Sequence, residues 1–416
     1  MNKMGNTLCW RFSTKSKGIG GKIKHRYADF IVEELHDGYK CAVILEDFGK
    51  PLMHLPTDTE KKYLWVELQK KNRDLHDAIR QLSRALHCSP KRIGYAGIKD
   101  KRAITCQRIS IFKPNLSLLR GFGTNTLLLK SAAWSEEPID LGMLSGNAFT
   151  VTIRNIELSK EEIMANVESC FSEMRKGIAN YFGAQRFGGI RNVSHLVGKE
   201  IIKGNYRNAV VLYLCSESEH ENEEVKEARK LAAKNDLKGA LNAFPKKYRY
   251  ERAMLHHLIA HGEDYIGALR TLPKKIVFLF THAYQAYLFN KIIDERLDSG
   301  IGLRPVEGEP VENGIPLGLL PGFDSAFTPG IIGRIERKVL AEEDVDFSMF
   351  KVKRMPECSS AGARRKIAVF PEKTKVISIN ADEFFPGRNL CKVYFELEKG
   401  SYATVVLREI MKTEVA

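Results

Sequence analysis

The stretch that decides the interpretation of this chain is GYAGIKDKRAITCQ, residues 94–107. With its flanks it predicts two strands joined by a polar turn, because apolar and β-branched residues lie on both sides of Lys99-Asp100-Lys101. An aspartate between two lysines in such a turn is most often an exposed turn residue. It is also a candidate catalytic acid, and the stretch alone does not decide between these two interpretations.

Outward from this stretch, the first third of the chain is predicted to consist of strands with one helix. Alternating and β-branched residues predict strands over residues 23–35, 63–68 and 148–156. Apolar residues at helical spacing predict a helix within residues 74–87, with Asp74 as its N-cap. A further helix is predicted to begin at Ser159, where Glu162 completes a capping box.

The middle of the chain has a different pattern from its two ends. Helical patterns dominate from about residue 159 to about residue 296, and residues 278–297 are apolar enough to form a core helix. A proline-rich stretch follows, and strand patterns return only at residues 392–397 and 402–407. The order strands, helices, strands predicts an α/β (α+β) fold in which a second domain is inserted into the first.

Composition limits the classes of partner and cofactor. The chain has 416 residues and a formal net charge of +14, which favours a polyanionic partner without choosing between RNA, DNA and acidic lipid. Its eight cysteines have no zinc-binding spacing, no segment reads as a membrane span or signal peptide, and we therefore expect a cytoplasmic protein with no membrane association. No Walker, Rossmann or metallohydrolase motif is present, so no cofactor and no metal are expected.

Residues 94–107 resemble the active-site motif of the TruD family of pseudouridine synthases, in which a glycine-rich strand leads into a Lys-Asp pair. This resemblance implies that Asp100 is the essential catalytic residue. Five further segments resemble family motifs in the family's order: residues 20–35, 145–156, 178–189, 282–297 and 395–410. Six matches in order across nearly the whole chain make chance similarity a poor explanation.

The N-terminal matching segment implies two more site residues. By the resemblance, Lys24 lies near the aspartate as its neighbouring cation, and Phe30 helps line the pocket. The family usually has Pro-Glu-Asp-Phe at this point, whereas this chain has Tyr-Ala-Asp-Phe at residues 27–30. The structural alternative, an amphipathic strand with Lys24 in solvent and Phe30 in the core, stays open.

Two more segments add substrate-binding candidates. SGNAFTVTIRNI, residues 145–156, resembles a Gly-Asn-x-Phe motif and implies that Asn147 forms a hydrogen bond near the active site and that Phe149 stacks on the target base. A turn residue and a core aromatic are the alternatives. IANYFGAQRFGG, residues 178–189, combines glycines, aromatic residues and Arg186, a mixture that suits single-stranded bases and phosphates. Arg186 is therefore either structural or RNA-facing.

The resemblance implies a catalytic domain with a mixed, mainly antiparallel sheet and an inserted α-rich TRUD domain, with the chain divided as residues 1–160, 161–380 and 381–416. The implied reaction is isomerisation of uridine to pseudouridine in tRNA, usually at uridine 13 of the D arm, with no protein partner required. Asp100 would act either as the nucleophile or by taking a proton from the sugar. Two rivals remain: a non-catalytic RNA-binding protein or chaperone that retains the fold, and a metal-dependent nuclease, which needs clustered carboxylates.

Overall fold

The structure is a computed structural model that describes residue 8 and residues 10–45, 48, 56–57, 60–189 and 191–413. Its strands, in chain order, are β1 (Phe30–His36), β2 (Tyr39–Lys40), β3 (Tyr63–Lys71), β4 (Ile93–Tyr95), β5 (Ile104–Phe112), β6 (Leu127–Ser135), β7 (Gly146–Ile156), β8 (Ile178–Ala179), β9 (Val311–Glu312), β10 (Ile315–Leu320), β11 (Ala363–Lys366), β12 (Ala368–Val369), β13 (Glu372–Ala381) and β14 (Asn389–Glu398). Its helices are α1 (Leu75–Ala85), α2 (Leu116–Arg120), α3 (Lys160–Met174), α4 (Ser194–Ile202), α5 (Tyr206–Cys215), α6 (Glu223–Ala233), α7 (Leu237–Ala243), α8 (Arg249–His261), α9 (Tyr265–Arg270), α10 (Lys274–Asp298), α11 (Gly330–Glu342) and α12 (Ala403–Met411).

Contacts within the chain divide it into two compact units. We call Thr14–Gly177 with Val369–Thr413 the sheet unit, and Ile178–Ala368 with the described residues before Thr14 the helical unit. The mixed α/β class with a helical insert, predicted from the sequence, is confirmed. The predicted domain limits after residues 160 and 380 stay a prediction, and the contacts divide the chain after residues 177 and 368.

The sheet unit is built on one large sheet with the strand order β13-β14-β7-β1-β5-β3-β6, to which β2 and β4 add at β1 and β5. The β1–β5 pair is parallel, and the other pairs are antiparallel. The sheet is therefore mixed and mainly antiparallel. We call the face that carries Leu64, Val66 and Leu68 of β3 the inward face, because these residues pack against α1.

The helical unit packs around α10, which the sequence predicts as a core helix. Along α10 the residues Phe280, Tyr284, Leu288 and Ile292 are buried at spacings of four, and they belong to the core cluster of this unit. The small sheet β9-β10-β11 lies in the same unit. Within the described residues, no helix combines the length and the apolar character that crossing a bilayer requires.

Two sequence expectations about the later part of the chain are wrong. Residues 402–407 form no strand, because residues 403–407 belong to helix α12 and Tyr402 is its N-cap. Residues 403 and 405–407 are apolar and buried, so this short run is nearly continuous and its periodicity does not separate strand from helix. Strands also return earlier than predicted, at β10, β11 and β13, and the last of these is an edge strand rich in charged residues.

Candidate active site

Asp100 lies in the loop between β4 and β5. The two strands pair antiparallel from Ile93 opposite Ile111 to Tyr95 opposite Ile109, so residues 96–103 form the connection that the sequence predicts as a polar turn. The Asp100 side chain is 29% exposed, which leaves its carboxylate open on one side. The geometry therefore permits a substrate to reach this carboxylate.

Lys24 meets Asp100 directly. Its Nζ lies 2.8 Å from Asp100 Oδ1, and the Lys24 side chain is only 14% exposed. The same ammonium lies 4.4 Å from the centre of the Phe30 ring, at cation–π distance. Lys24 has a φ of 55°, a left-handed conformation that is strained for a side chain of this kind. The lysine is therefore placed against Asp100 in spite of a local backbone cost.

The segment that carries Lys24 is fixed by a buried arginine of β7. Arg154 pairs backbone groups with Lys22, and its guanidinium lies 2.9 Å from a carboxylate oxygen of Asp29 and 3.0 Å from one of Asp382. All three charged side chains are at most 5% exposed. The Arg102 guanidinium, from the loop that carries Asp100, also donates to the carbonyl of His25 at 2.9 Å.

Lys99 points away from Asp100 and is buried in an ion pair with Glu34 of β1. The Lys99 Nζ lies 2.5 Å from Glu34 Oε2, and the two side chains are 5% and 0% exposed. Burial opposes ionisation of Glu34, but the hydrogen bond with His36 and the Lys99 ammonium lower the pKa of this carboxyl below its usual value. This pair anchors the middle of the loop to the sheet.

Two further side chains of the inward face hold the main chain of the loop. The Nζ of Lys70, at the end of β3, donates to the carbonyl oxygens of Lys99 at 3.3 Å and Asp100 at 2.6 Å. Gln107 Nε2 of β5 donates to the carbonyl of Gly97 at 2.9 Å. Sequence reasoning missed Glu34, Lys70 and Gln107 as site residues.

A signal for these three residues is nevertheless present in the sequence. In β3 the residues Leu64, Val66 and Leu68 are buried at every second position, and the next residue in this series is Lys70. In the same way Gln107 precedes the inward residues of β5, and Glu34 follows Phe30 and Val32 in β1. A polar residue at an inward position of an alternating strand is thus the feature that marks the site.

The aromatic residues assigned to the site lie in the core of the sheet unit. Phe30 is 1% exposed and Phe149 is 5% exposed. Phe149 stacks on Phe395 at 5.4 Å between ring centres and meets Phe30 edge-on at 6.2 Å. The structure brings Phe30 to Lys24 and Phe149 to Phe30, but the pocket role of Phe30 and the base-stacking role of Phe149 stay predictions.

Asn147 lies on β7, two residues before Phe149 and opposite Glu34 of β1. Its Oδ1 is buried without a hydrogen-bond partner in the described part of the chain, and so are Gln107 Oε1 and Thr105 Oγ1. By strand register, all three side chains belong to the inward face. Buried acceptors are normally paired with a donor from protein, water or ligand. This cluster therefore holds three buried oxygen atoms whose hydrogen-bonding capacity the described residues do not use.

Arg186 belongs to the helical unit. It lies in a short 3₁₀ turn, Ala184–Phe187, with its guanidinium 5.6 Å from the centre of the Phe182 ring. Its Nε is buried without a partner in the described residues. The choice between a structural and an RNA-facing role for Arg186 stays open.

One group of side chains has donor atoms suited to a metal ion. The ligand atoms of Glu34, His36 and Cys41 lie within 4.8 Å of one another. Hydrogen bonds with Cys41 and Glu34 raise the pKa of His36 to about 9, and a hydrogen bond with Cys106 lowers the pKa of Cys41 to about 6. The Lys99 ammonium already neutralises the Glu34 carboxylate, so the side chains of this group find charge and hydrogen-bond partners among their neighbours.

Comparisons with known proteins agree with one another over almost the whole chain. Residues 9–315 and 311–410 match the family model described as tRNA pseudouridine synthase D (TruD). A relative from Methanosarcina mazei named "Probable tRNA pseudouridine synthase D" is 39% identical over 436 residues, covering 96% of this chain and 95% of the relative. One of the same name from Methanopyrus kandleri is 35% identical over 385 residues, covering 92% of this chain and 93% of the relative. A crystal structure of a TruD protein from Methanosarcina mazei matches with a TM-score of 0.78 at 38% identity, covering 97% of this chain and 96% of that one.

Proposed function

Because the chain belongs to the TruD family of tRNA pseudouridine synthases, we propose that it isomerises uridine 13 in the D arm of tRNA, with Asp100 as the catalytic residue. The reaction breaks the bond between C1′ and N1 of the uridine and joins C1′ to C5, while the C5 proton leaves and N1 gains a proton. The observation that supports this role most strongly is the ion pair of Lys24 with the partly exposed Asp100.

The ion pair places a positive charge beside the Asp100 carboxylate. The Lys24 Nζ donates a hydrogen bond to Asp100 Oδ1 at 2.8 Å. Both proposed chemical steps start from an unprotonated carboxylate, which would attack C1′ or take a proton from the sugar. The choice between the two steps stays open.

The target base has to leave the stack of the RNA before its bonds can be exchanged. The buried acceptors of Asn147 and Gln107 support a site for the polar edge of uracil, since that edge carries the N3–H donor. We propose Phe149 as the ring on which the base stacks. Since the ring is only 5% exposed, the base would contact its edge, or the ring would move when the base binds. Phe30 would line the same pocket, and Arg186 would contact RNA.

Further properties follow from charge and cysteine chemistry. The net charge of +14 supports phosphate contacts that carry affinity but not sequence choice. The described cysteines form no disulfides, which supports work in the reducing cytoplasm. We propose that the enzyme acts without a protein partner and without a cofactor.

The test is release of tritium from C5-labelled uridine in unmodified tRNA transcripts, with EDTA present. Wild type, Asp100→Asn and a transcript with cytidine in place of uridine 13 would be compared at equal RNA binding. The expected result is release by wild type, none by Asp100→Asn and none from the changed transcript. Release by Asp100→Asn would move catalysis to another residue, and release from the changed transcript would move the target. Tight binding without release from any tRNA would favour the non-catalytic RNA-binding protein.

A further inference from the structure

Lys70 is a buried cation whose charge the packing of β3 does not explain. Its side chain is fully buried, at 0% exposure, although Leu64, Val66 and Leu68 show that apolar residues fill the same face of the strand. It forms no ion pair with a carboxylate among the described residues, and its ammonium donates to two main-chain carbonyls instead. Burying an ammonium in this way is costly, because the group loses its water.

Both carbonyls belong to the loop that carries Asp100. The shorter hydrogen bond, 2.6 Å, is to the carbonyl of Asp100, and the longer one, 3.3 Å, is to that of Lys99. Gln107 holds the carbonyl of Gly97, and Glu34 holds the side chain of Lys99. The tethers from Gln107 and Glu34 precede Asp100 in the chain. Lys70 is thus the inward-face side chain that bonds the peptide unit of Asp100 itself.

We propose that Lys70 is the positioning residue of the catalytic loop: its ammonium fixes the Lys99–Asp100 main chain so that the Asp100 carboxylate faces the nucleotide beside Lys24. The inference rests on the proposed role of Asp100 and adds a residue that contacts neither substrate nor the reacting atoms. A neutral side chain of similar size would fill the same space and leave the peptide of Asp100 free to move. Displacements of about 1 Å in a catalytic group can slow a reaction roughly 100-fold.

The charge of Lys70 gives this role a measurable pH dependence. Burial lowers the pKa of Lys70 to about 8, the Asp100 and Asp74 carboxylates favour its charged form, and the Lys99 ammonium disfavours it. The charged form therefore dominates below about pH 8 and is lost above it. If the ammonium is needed, the single-turnover rate of wild type falls about ten-fold from pH 7 to pH 9.

The experiment measures single-turnover tritium release by wild type, Lys70→Met, Lys70→Arg and Lys71→Met. Lys71 is the matched control, since it follows Lys70 in β3 but points to the other face and is half-buried. We expect Lys70→Met to slow the reaction about 100-fold at pH 7 with KM for tRNA within about three-fold of wild type and no fall in melting temperature. Lys70→Arg stays charged at every pH tested, so this variant should not show the fall in rate between pH 7 and pH 9 that we expect for wild type.

Several results would overturn the inference. A Lys70→Met rate within about three-fold of wild type would do so, as would a loss of rate accompanied by lower melting temperature and weaker tRNA binding, which marks a structural role. If Lys70→Met does not fold, the pH dependence of the rate decides. The inference would be overturned if wild type and Lys70→Arg lost single-turnover rate in parallel above pH 8, or if the wild-type rate did not change with pH. No release by wild type would contradict the proposed function itself, a result that the Lys70 variants cannot imitate.

Discussion

The inward face of the sheet has two halves that the same strands build in different ways. The apolar half, made by Leu64, Val66, Ile109 and Ile111 with the α1 residues packed on them, is fully buried hydrocarbon. The polar half lies further along the same strands and the adjoining β1 and β7, and its members are Glu34, Lys70, Thr105, Gln107 and Asn147. The alternation of the strands and the burial of the inward side chains continue from the apolar half into the polar half. Only the side chains change, from hydrocarbon to polar and charged groups.

This difference separates two uses of burial. In the apolar half, burial supplies folding free energy, at about 25 cal/mol per Å² of apolar surface. In the polar half, burial removes water from charged groups and works against folding unless each group finds a partner. The partners found there are the main chain and the lysine of the Asp100 loop. The polar half therefore lowers the stability of the fold but holds the Asp100 loop in place. The following substitutions test whether the two halves have these separate roles.

The largest effect is expected from Glu34→Gln, which breaks the buried pair with Lys99. The variant leaves an uncompensated ammonium in the sheet, so the free energy of unfolding should fall by about 3–5 kcal/mol. Turnover should also fall, because the loop loses its anchor. Unfolding can be followed in the sheet unit alone by tryptophan fluorescence in a Trp10→Phe background, since Trp65 and Trp134 both lie in that unit.

The matched control is Glu33→Gln, the neighbouring carboxylate on the other face of β1. Its partner, Lys40, is 38% exposed, and Glu33 itself is 10% exposed and accepts a hydrogen bond from the Val43 N–H. Because Lys40 keeps contact with water, Glu33→Gln should cost less stability than Glu34→Gln. Acid adds a second check. The pKa of Glu34 lies below its usual value of 4.5 in the folded state, so its stabilisation is present above that value and lost as pH falls through the folded pKa. The gap between wild type and Glu34→Gln should narrow in acid; a constant gap would contradict the ion-pair account.

A change of similar cost in the apolar half should leave catalysis intact. Leu82→Ala removes a fully buried side chain of α1 and should lower the free energy of unfolding by about 2–5 kcal/mol. Single-turnover tritium release per folded molecule should stay within about two-fold of wild type. The same tryptophan background measures the stability. A rate loss as large as that of Glu34→Gln would show that the two halves are not separable.

Lys24→Met tests the lysine that contacts the partly exposed carboxylate of Asp100. Removing a preorganised charge beside a catalytic group typically slows a reaction about 10²- to 10³-fold, and we expect the lower end for Lys24 with tRNA binding within a few-fold of wild type. Single-turnover tritium release and filter binding measure the two quantities. Wild-type turnover by this variant would remove Lys24 from the active site.

How far the sequence predicts this site depends on which contacts are local. The turn at Asp100, the Asp74 cap and the Ser159–Glu162 capping box follow from neighbouring residues, and the structure confirms all three. The contact of Lys24 with Asp100 spans 76 positions, and the family resemblance placed it, since no local pattern does. The strand pattern does not reveal Lys70, because it predicts a strand over residues 63–68 only, and this strand ends before the polar member of the alternation.

Helix α12 shows the opposite limit. Residues 403 and 405–407, at the start of this helix, are apolar and buried, and so short an apolar run predicts a strand as readily as a helix. Only the tertiary surroundings decide such a segment. The burial of Phe149 between Phe30 and Phe395 was equally invisible, because register across β1, β7 and β14 sets it.

The smallest effect is expected from Lys101→Met, which separates RNA contact from loop positioning. Lys101 follows Asp100 but is exposed, and it forms no ion pair in the described part of the chain. A lysine of this kind can bind phosphate, so KM for tRNA should rise a few-fold and the slope of log affinity against log salt should become less steep by about 0.7–0.9. Turnover at saturating tRNA should be unchanged. Lys91→Met, an exposed lysine at the other end of β4, is the control and should change the slope less. A loss of saturated turnover in Lys101→Met would contradict the division of labour, because it would place an exposed side chain of the loop among the groups that position Asp100.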